Sequence, residues 1–318
     1  MYIRRLFIVF IISIVAAFAA GMIFDNIYKK RWQTLFFEKT DELLKGKTNY
    51  DIIYLGNSRV HFAINPYYVD SVTKLNSYNF GFGGADAEEI MLTSNIYLNQ
   101  HKAPKLVIIS LDNGALLKNN ILQTRFHYLY FLHNDTIKKH MNQAGFFTSL
   151  IKVFPFTKYS FFDEYNRTSL FVKGKSYPLF EHNIYKGFLN IHQHTHTKAI
   201  GIYNAEEESG EISDNAIAYF RNCITALQQK GSMVIFVSPP VRSSPAKKQN
   251  AFDKKADSIF SSLAIEFHLK HLHFEDDKIY ENEYFVDDIH FNEPGSRLYS
   301  QNLGDSINLI LDSILKSP

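Results

Sequence analysis

Residues 51–59 read DIIYLGNSR, a short apolar run that closes in a tight turn. Residues 51–55 are rich in side chains that favour strands, and Gly56 ends the run, so it predicts a buried strand. Ser58 follows on the turn, where a hydroxyl is exposed at the edge of a sheet and the serine's own N–H can help to hold an oxyanion. The alternative is an ordinary turn between a strand and a helix, without catalytic function.

Two further apolar runs of this kind occur at 105–111 (KLVIISL) and 233–238 (MVIFVS). Each follows a candidate helix, at about 85–98 and 215–230, and a last amphipathic helix starts near Pro294. Strands that alternate with helices predict an α/β fold, in which a mainly parallel sheet is covered by helices on both faces. In such a sheet, functional residues gather at the carboxyl ends of the strands.

This alternation breaks down between about residues 115 and 213, a stretch rich in Phe, Tyr, His and Asn. Because the stretch interrupts a regular series, we predict that it is an insertion within one domain at 50–318. In one interpretation, its aromatic runs at 126–133 and 154–162 line an acyl or glycan groove. In the other, they form the insertion's own core.

The amino terminus carries an uncharged apolar run at 6–24. A helix of this length matches a hydrocarbon core of about 30 Å, so we predict a membrane anchor at 1–24 and a juxtamembrane helix or linker at 25–49. The alternative is a secretory signal, cleaved near the small residues at 17–19. Basic residues flank the run on both sides, but long domains translocate largely regardless of charge. We therefore predict a single-pass protein of a bacterial-type inner membrane, with its body outside the cytoplasm.

The composition of the 318-residue chain excludes several classes of protein. Lys and Arg total 34 against 32 Asp and Glu, a formal net charge of +2, so a nucleic-acid partner is not predicted. The single cysteine, Cys223, cannot form an internal disulfide. Apolar residues make up 46% of the chain and charged residues 21%, which is typical of a globular protein.

A second candidate for chemistry lies just before the last predicted helix, where residues 286–290 read VDDIH. On one compact turn, Asp287 can accept a hydrogen bond from the Nδ1–H of His290, three residues later. This contact fixes the tautomer in which Nε2 accepts a proton from a serine hydroxyl. A surface turn with acids that cap a helix is the alternative for this pair.

The order of these pieces resembles that of the SGNH (GDSL-type) hydrolase superfamily. The chain has a strand with Gly-x-Ser, a glycine-rich turn at 79–84 (NFGFGG), another strand, and Asp-x-x-His before a terminal helix. Within the superfamily, it is most similar to the membrane-anchored branch that includes teichoic-acid D-alanylation and alginate-acetylation proteins. The resemblance implies a three-layer α/β/α sandwich with five parallel strands. It also implies that Ser58 is the nucleophile, with Asp287 and His290 as its partners, and that the N–H groups of Ser58 and of Gly84, or its neighbour Gly83, form the oxyanion hole.

The third family block departs from the pattern, because Asp112 stands where the family usually has an oxyanion-binding Asn. An ionised carboxylate cannot donate a hydrogen bond and repels developing negative charge. Asn113 is the candidate replacement donor if the turn is shifted by one residue. Arg59 and Asp112 are predicted to face the substrate, where Arg59 holds a carboxylate or a carbohydrate hydroxyl. The alternative for Arg59 is an ion pair near the turn.

Two histidine clusters complete the candidates: His192, His194 and His196 alternate, and His268, His271 and His273 precede three acidic residues. The first cluster would share one face of a strand, where it could bind a transition metal, but an exposed polar strand explains it as well. The second cluster predicts a strand that enters a solvated turn. We predict no metal site and no cofactor.

The combined hypothesis is an exported, membrane-anchored serine esterase or O-acyltransferase that acts on an acylated cell-envelope glycan. A multi-span membrane acyltransferase is the predicted protein partner, which rests on the resemblance. The alternative is a non-catalytic protein of the same fold that binds a glycan or such a partner, and Asp112 is the residue that favours it.

Overall fold

The computed structural model describes residues 2–32, 38–117, 128, 131–143, 184–190, 210–242, 251–274 and 279–315. The chain forms two compact units, one from residues 1–40 and 121–178, the other from residues 41–120 and 179–318. The helices are α1 (Tyr2–Trp32), α2 (Glu38–Lys45), α3 (Ser58–His61), α4 (Pro66–Thr73), α5 (Ala87–Gln100), α6 (Asp135–Gln143), α7 (Asp214–Gln229), α8 (Ala251–Glu266) and α9 (Glu293–Leu315). The strands are β1 (Ile52–Leu55), β2 (Ser77–Asn79), β3 (Leu106–Ser110), β4 (Ile184–Tyr185), β5 (Phe188–Leu189), β6 (Met233–Ser238) and β7 (Lys270–His273).

Five strands form one parallel sheet in the order β2-β1-β3-β6-β7. The three strands predicted from apolar runs are β1, β3 and β6, and they lie side by side in the middle of the sheet. The strand predicted from the second histidine cluster is β7, at one edge. The predicted α/β fold with a mainly parallel five-stranded sheet is therefore confirmed.

Helices cover both faces of this sheet. On one face, α4 packs against α9, and alternate side chains of the central strands join their core: Ile52, Tyr54, Leu106, Ile108, Ile235 and Val237. On the other face, α5 packs against α7, and Phe260 of α8 contacts both Phe236 of β6 and Phe220 of α7. Successive residues of each central strand join these two cores in turn, because successive side chains of a strand point to opposite faces of the sheet.

The short β4–β5 hairpin lies within the predicted insertion at 115–213, most of which is outside the described residues. The backbone N–H of Asn79, at the end of β2, donates to the carbonyl of Lys186 in the hairpin turn. The Lys186 ammonium also pairs with Asp70 of α4 at 2.6 Å. The hairpin is thus fixed to the β2 edge of the sheet.

The unit formed by residues 1–40 and 121–178 contains α1. The segment Tyr2–Ile23 of this helix is long and apolar enough to span a membrane. The helix continues beyond the predicted apolar run to Trp32. Its length and composition are weak evidence for single-pass anchoring, because a signal sequence near the amino terminus has the same properties.

Candidate active site

Ser58 follows the carboxyl end of β1 and is the first residue of the short helix α3. The side chain of Asn57 caps this helix by accepting a hydrogen bond from the N–H of Arg59 at 3.0 Å. Because a helix of four residues has little stability of its own, this cap fixes the turn that presents the serine. Ser58 is half-buried at the end of the sheet, where the sequence predicted a functional residue.

Asp287 organises the turn that carries His290. One carboxylate oxygen, Oδ1, accepts hydrogen bonds from the N–H groups of Ile289 and His290, at 2.9 and 2.8 Å. The other oxygen, Oδ2, lies 2.7 Å from Nδ1 of the His290 imidazole. The backbone N–H of Val286 donates to the His290 carbonyl and closes the turn. The imidazole is therefore oriented by a carboxylate that lies only three residues earlier on the same turn.

The two turns meet across 232 residues of sequence: Nε2 of His290 lies 2.8 Å from Oγ of Ser58. The structure thus brings the predicted Ser58, His290 and Asp287 into one chain of hydrogen bonds. The ring of Phe62 packs edge-on against the imidazole, with centroids 5.3 Å apart. This arrangement can move a proton from the serine hydroxyl to Nε2 while the carboxylate stabilises the charge that forms on the ring.

The electrostatic state of Asp287 suits that function. Burial alone would raise the pKa of the carboxyl, but the hydrogen bond with His290 and those from two backbone N–H groups hold this pKa below its ordinary value of 3.8. The carboxylate therefore stays ionised at neutral pH, with both oxygens accepting hydrogen bonds.

Arg59 and Asp112, which were predicted to face the substrate, contact each other. Nη1 of Arg59 lies 3.6 Å from Oδ2 of Asp112, and Nη2 donates to the carbonyl of Pro239. The other oxygen of Asp112 accepts from the N–H of Gly114 at 2.9 Å and caps a 3₁₀ helix at Asn113–Leu116. The ion pair stated as the alternative for Arg59 is the arrangement found.

Asn113, the predicted replacement donor to the oxyanion, uses its side chain in another contact. Its side-chain Nδ2 donates to the carboxylate of Asp253 on α8 at 2.9 Å. A charged acceptor holds an amide donor more strongly than a neutral one, so the side chain is committed to α8. We therefore do not assign Asn113 to the oxyanion hole.

The glycine-rich turn lies beside the serine. The N–H of Phe82 donates to the Gly56 carbonyl at 3.0 Å, so this turn continues alongside the exit of β1. A Cβ atom on Gly81 would lie only 2.6 Å from Cβ of Val60, so only glycine lets the turn pack this closely on α3. Gly83 is half-buried and Gly84 exposed, and the latter has a φ of 74° that favours glycine.

Asn79 is a supporting residue that the sequence analysis missed. Its fully buried amide donates from Nδ2 to the carbonyls of Val60 and Ile64, at 2.8 and 2.7 Å, and its Oδ1 accepts from the N–H of Gly81 at 2.9 Å. One side chain thus ties the helix of Ser58 to the glycine-rich turn. The available signal was an asparagine that closes a strand directly before Gly-x-Gly.

We expect Asn79→Ala to lower the free energy of unfolding by on the order of 3 kcal/mol, because the three hydrogen bonds of this buried amide are lost. Denaturant unfolding followed by circular dichroism measures this change. The matched control is Asn99→Ala on an exposed position of α5, for which we expect a change below about 0.5 kcal/mol. Equal effects of the two substitutions would contradict the supporting function of Asn79.

The second histidine cluster forms a separate contact at the β7 edge. Nε2 of His271 lies 2.8 Å from Oγ of Ser238, and the rings of His271 and His273 are 3.7 Å apart. Burial, helped by His273, lowers the pKa of His271 to about 4. The cluster at 192–196 lies outside the described residues. Within the part of the chain that the structure describes, no three His, Cys, Asp or Glu side chains group as a metal site would require.

No protein-family model and no curated protein matches this sequence. Among solved structures, the chain is similar to an acetyl xylan esterase, with 11% identity, a TM-score of 0.45, and coverage of 80% of this chain and 98% of that one. It is also similar to a putative acylhydrolase from Bacteroides fragilis NCTC 9343, with 12% identity, a TM-score of 0.43, and coverage of 87% and 95%. A GDSL-like lipase from Bacteroides thetaiotaomicron VPI-5482 gives 10% identity, a TM-score of 0.41, and coverage of 89% and 98%. At this level of similarity, the assignment of the site rests on the geometry of this chain.

Proposed function

We propose that this protein is a serine ester hydrolase or O-acyltransferase of the SGNH type. The observation that carries the proposal is the hydrogen-bonded series from Asp287 through His290 to Ser58, with contacts of 2.7 and 2.8 Å. The order of the sequence blocks around these residues supports the same conclusion. Neither the carboxylate nor the imidazole needs a further partner to activate the serine, because each is already oriented.

In the proposed reaction, Oγ of Ser58 attacks the carbonyl carbon of an ester while Nε2 of His290 takes the hydroxyl proton. The oxyanion of the tetrahedral intermediate accepts hydrogen bonds from the N–H groups of Ser58 and Gly84. The intermediate collapses when His290 returns the proton to the leaving alcohol, which leaves an acyl group on Ser58. Water then attacks the acyl-enzyme in a hydrolase, and a sugar hydroxyl attacks it in a transferase.

Labelling with a fluorophosphonate tests this proposal, because the reagent loses fluoride and phosphonylates a serine that a neighbouring base activates. We expect stoichiometric labelling of the full-length protein in detergent and none of Ser58→Ala. Ser238→Ala is the matched control, since Ser238 also contacts a histidine but is only 5% exposed, and it should label as the wild type does. No labelling of the wild type would favour the non-catalytic alternative, a protein that binds a glycan or an acyltransferase.

The proposed substrate is an acylated glycan of the cell envelope, and the proposed location is the outer side of a bacterial inner membrane. The apolar segment Tyr2–Ile23 supports the location, because it can hold the body at a membrane surface. An anchored enzyme next to a membrane-bound acyl donor would favour transfer over hydrolysis. This substrate and the multi-span acyltransferase partner come from the resemblance in sequence.

If the body is exported, protease added to intact spheroplasts is expected to digest it beyond residue 32 and to spare α1. Immunoblotting with tags at the amino terminus and at the carboxyl terminus measures the two products. Lysis with detergent provides the control, because α1 then becomes accessible as well. Protection of the body in intact spheroplasts would exclude the proposed location and, with it, the envelope substrate.

A further inference from the structure

Arg59 is a buried cation directly after the candidate nucleophile. Its side chain is 8% exposed, and its Nε has no hydrogen-bond partner among the residues that the structure describes. Buried guanidinium groups are rare in proteins unless they are paired, because they lose the hydration that stabilises their charge. Burial of Arg59 therefore costs free energy of hydration, and its contacts with Asp112 and Pro239 show what the buried cation holds together.

The contacts of Arg59 join the exits of three neighbouring strands. Arg59 itself follows β1, Asp112 lies two residues after β3, and Pro239 is the first residue after β6. The exit of β6 also reaches the other half of the site, since the N–H of Arg242 donates to the carbonyl of Asp288 at 2.9 Å. One guanidinium thus links the turn of the serine to the segment that holds the turn of the histidine.

Asp112 and Ser58 follow the ends of two neighbouring strands, β3 and β1. Leu55 of β1 pairs with Ile109 of β3, and Ser58 and Asp112 each lie three residues further along. An unpaired carboxylate at this end of the sheet would repel the oxyanion and would favour a protonated His290. The 3.6 Å contact with Arg59 sets a positive charge against that carboxylate. The departure of Asp112 from the family pattern is therefore compensated by the residue next to the nucleophile.

We propose that Arg59 is a positioning residue for the reaction, and that it works as a pair with Asp112. The guanidinium holds the strand exits in place and cancels the Asp112 charge, so that the oxyanion forms in surroundings without net negative charge. This inference rests on the proposed function of Ser58 and His290. It gives Arg59 and Asp112 a function in place of the substrate binding predicted for them.

Other charged and titratable residues lie on the turn of His290, on the segments next to that turn, and on α3 after Ser58. They are His61 on α3, Asp287 and Asp288 on its own turn, Arg242 after β6, Glu283 in the 3₁₀ helix at Asn282–Tyr284, and Glu293 at the start of α9. The variants that test the proposal change none of these residues.

The test compares Arg59→Met, Asp112→Asn and the double variant by ester turnover as a function of pH. We expect Arg59→Met to lower kcat at least 100-fold at unchanged KM, and to move the acid limb of kcat/KM to higher pH by about one unit, because the unpaired Asp112 favours protonated His290. The double variant should regain at least tenfold in kcat over Arg59→Met and should return the acid limb to its wild-type position. Asp112→Asn alone should move that limb to lower pH.

Arg59→Lys separates the charge from the bridging geometry. A lysine keeps the positive charge but cannot bind Asp112 and Pro239 with a planar fork, so kcat should fall while the acid limb stays in place. Arg221→Met is the matched control, because it removes another arginine–carboxylate pair, the one with Glu266 on α8, and it should change neither quantity. Thermal unfolding shows which variants fold. If Arg59→Met does not fold, Arg59→Lys and Asp112→Asn still test the proposal.

An unmoved acid limb in folded Arg59→Met, or a double variant whose loss is the product of the two single losses, would overturn the inference. Fluorophosphonate labelling of the wild type keeps this failure distinct from a failure of the proposed function. A labelled and active wild type with an unmoved acid limb contradicts only the pairing of Arg59 with Asp112. An unlabelled and inactive wild type contradicts the proposed function, and the inference falls with it.

Discussion

Ser58→Ala and His290→Ala are each expected to lower ester turnover by about 10⁴-fold to 10⁶-fold, and the double variant should be little worse than either one. The reason is that the two side chains act in one step: without the base the hydroxyl is not activated, and without the hydroxyl the base has no proton to take. The 2.8 Å contact between Oγ and Nε2 is the structural basis of this non-additivity. Turnover of a short-chain ester by the three purified proteins measures it.

The control for this prediction is the other serine–histidine contact, between Ser238 and His271. His271→Ala should retain most of the wild-type turnover, because this pair joins β6 to the edge strand β7 and has no part in the proposed reaction. Thermal unfolding should confirm that all variants are folded. Losses that multiply in the Ser58→Ala His290→Ala double variant would mean that another nucleophile is responsible for turnover.

The central part of the fold could be predicted because its signals are local. The residues of β1, β3 and β6 form continuous apolar runs, and a strand that is buried on both faces requires such a run. The observed helices α5 and α7 differ from the predicted ones by two residues or fewer at each end. Hydrophobic periodicity and caps thus carried most of the information about these elements.

The edge strand β2 could not be predicted in this way. It has three residues, Ser77, Tyr78 and Asn79, and it is a strand because it pairs with β1. The buried polar groups of Ser77 and Asn79 are satisfied by partners on α4 and α3, which no local pattern specifies. A strand held by such long-range contacts becomes visible only once the fold is known.

The candidate site shows the same division. The contact between Asp287 and His290 spans three residues of one turn, so the spacing alone predicted it. The contact of His290 with Ser58 joins distant segments, and it was predicted from the order of family blocks. From the sequence, Asp112 is a departure that opposes an oxyanion hole. Its pairing with Arg59 joins the ends of two different strands, so no local pattern predicts it.

Asp287→Asn is expected to lower kcat by about 10⁴-fold with little change in KM, although both reacting groups stay in place. An asparagine amide can donate to Nδ1 of His290, which leaves the proton on Nε2, so that Nε2 can no longer accept one from Ser58. The substitution also removes a pH-dependent contribution to stability. Because the pKa of Asp287 is lowered in the folded protein, its carboxylate stabilises the fold above the pKa of the unfolded chain, and this contribution is lost as the pH falls through the folded value.

Wild type and Asp287→Asn should therefore differ in thermal stability at neutral pH and approach each other in acid, while kcat differs throughout the neutral range. Asp288→Asn is the matched control, because this neighbouring side chain on the same turn is 40% exposed and lies 3.9 Å from Arg242. An exposed ion pair contributes little, so turnover and stability should stay close to those of the wild type. A harmless Asp287→Asn together with a damaging Asp288→Asn would instead assign the orientation of His290 to Asp288, against the 2.7 Å contact with Asp287.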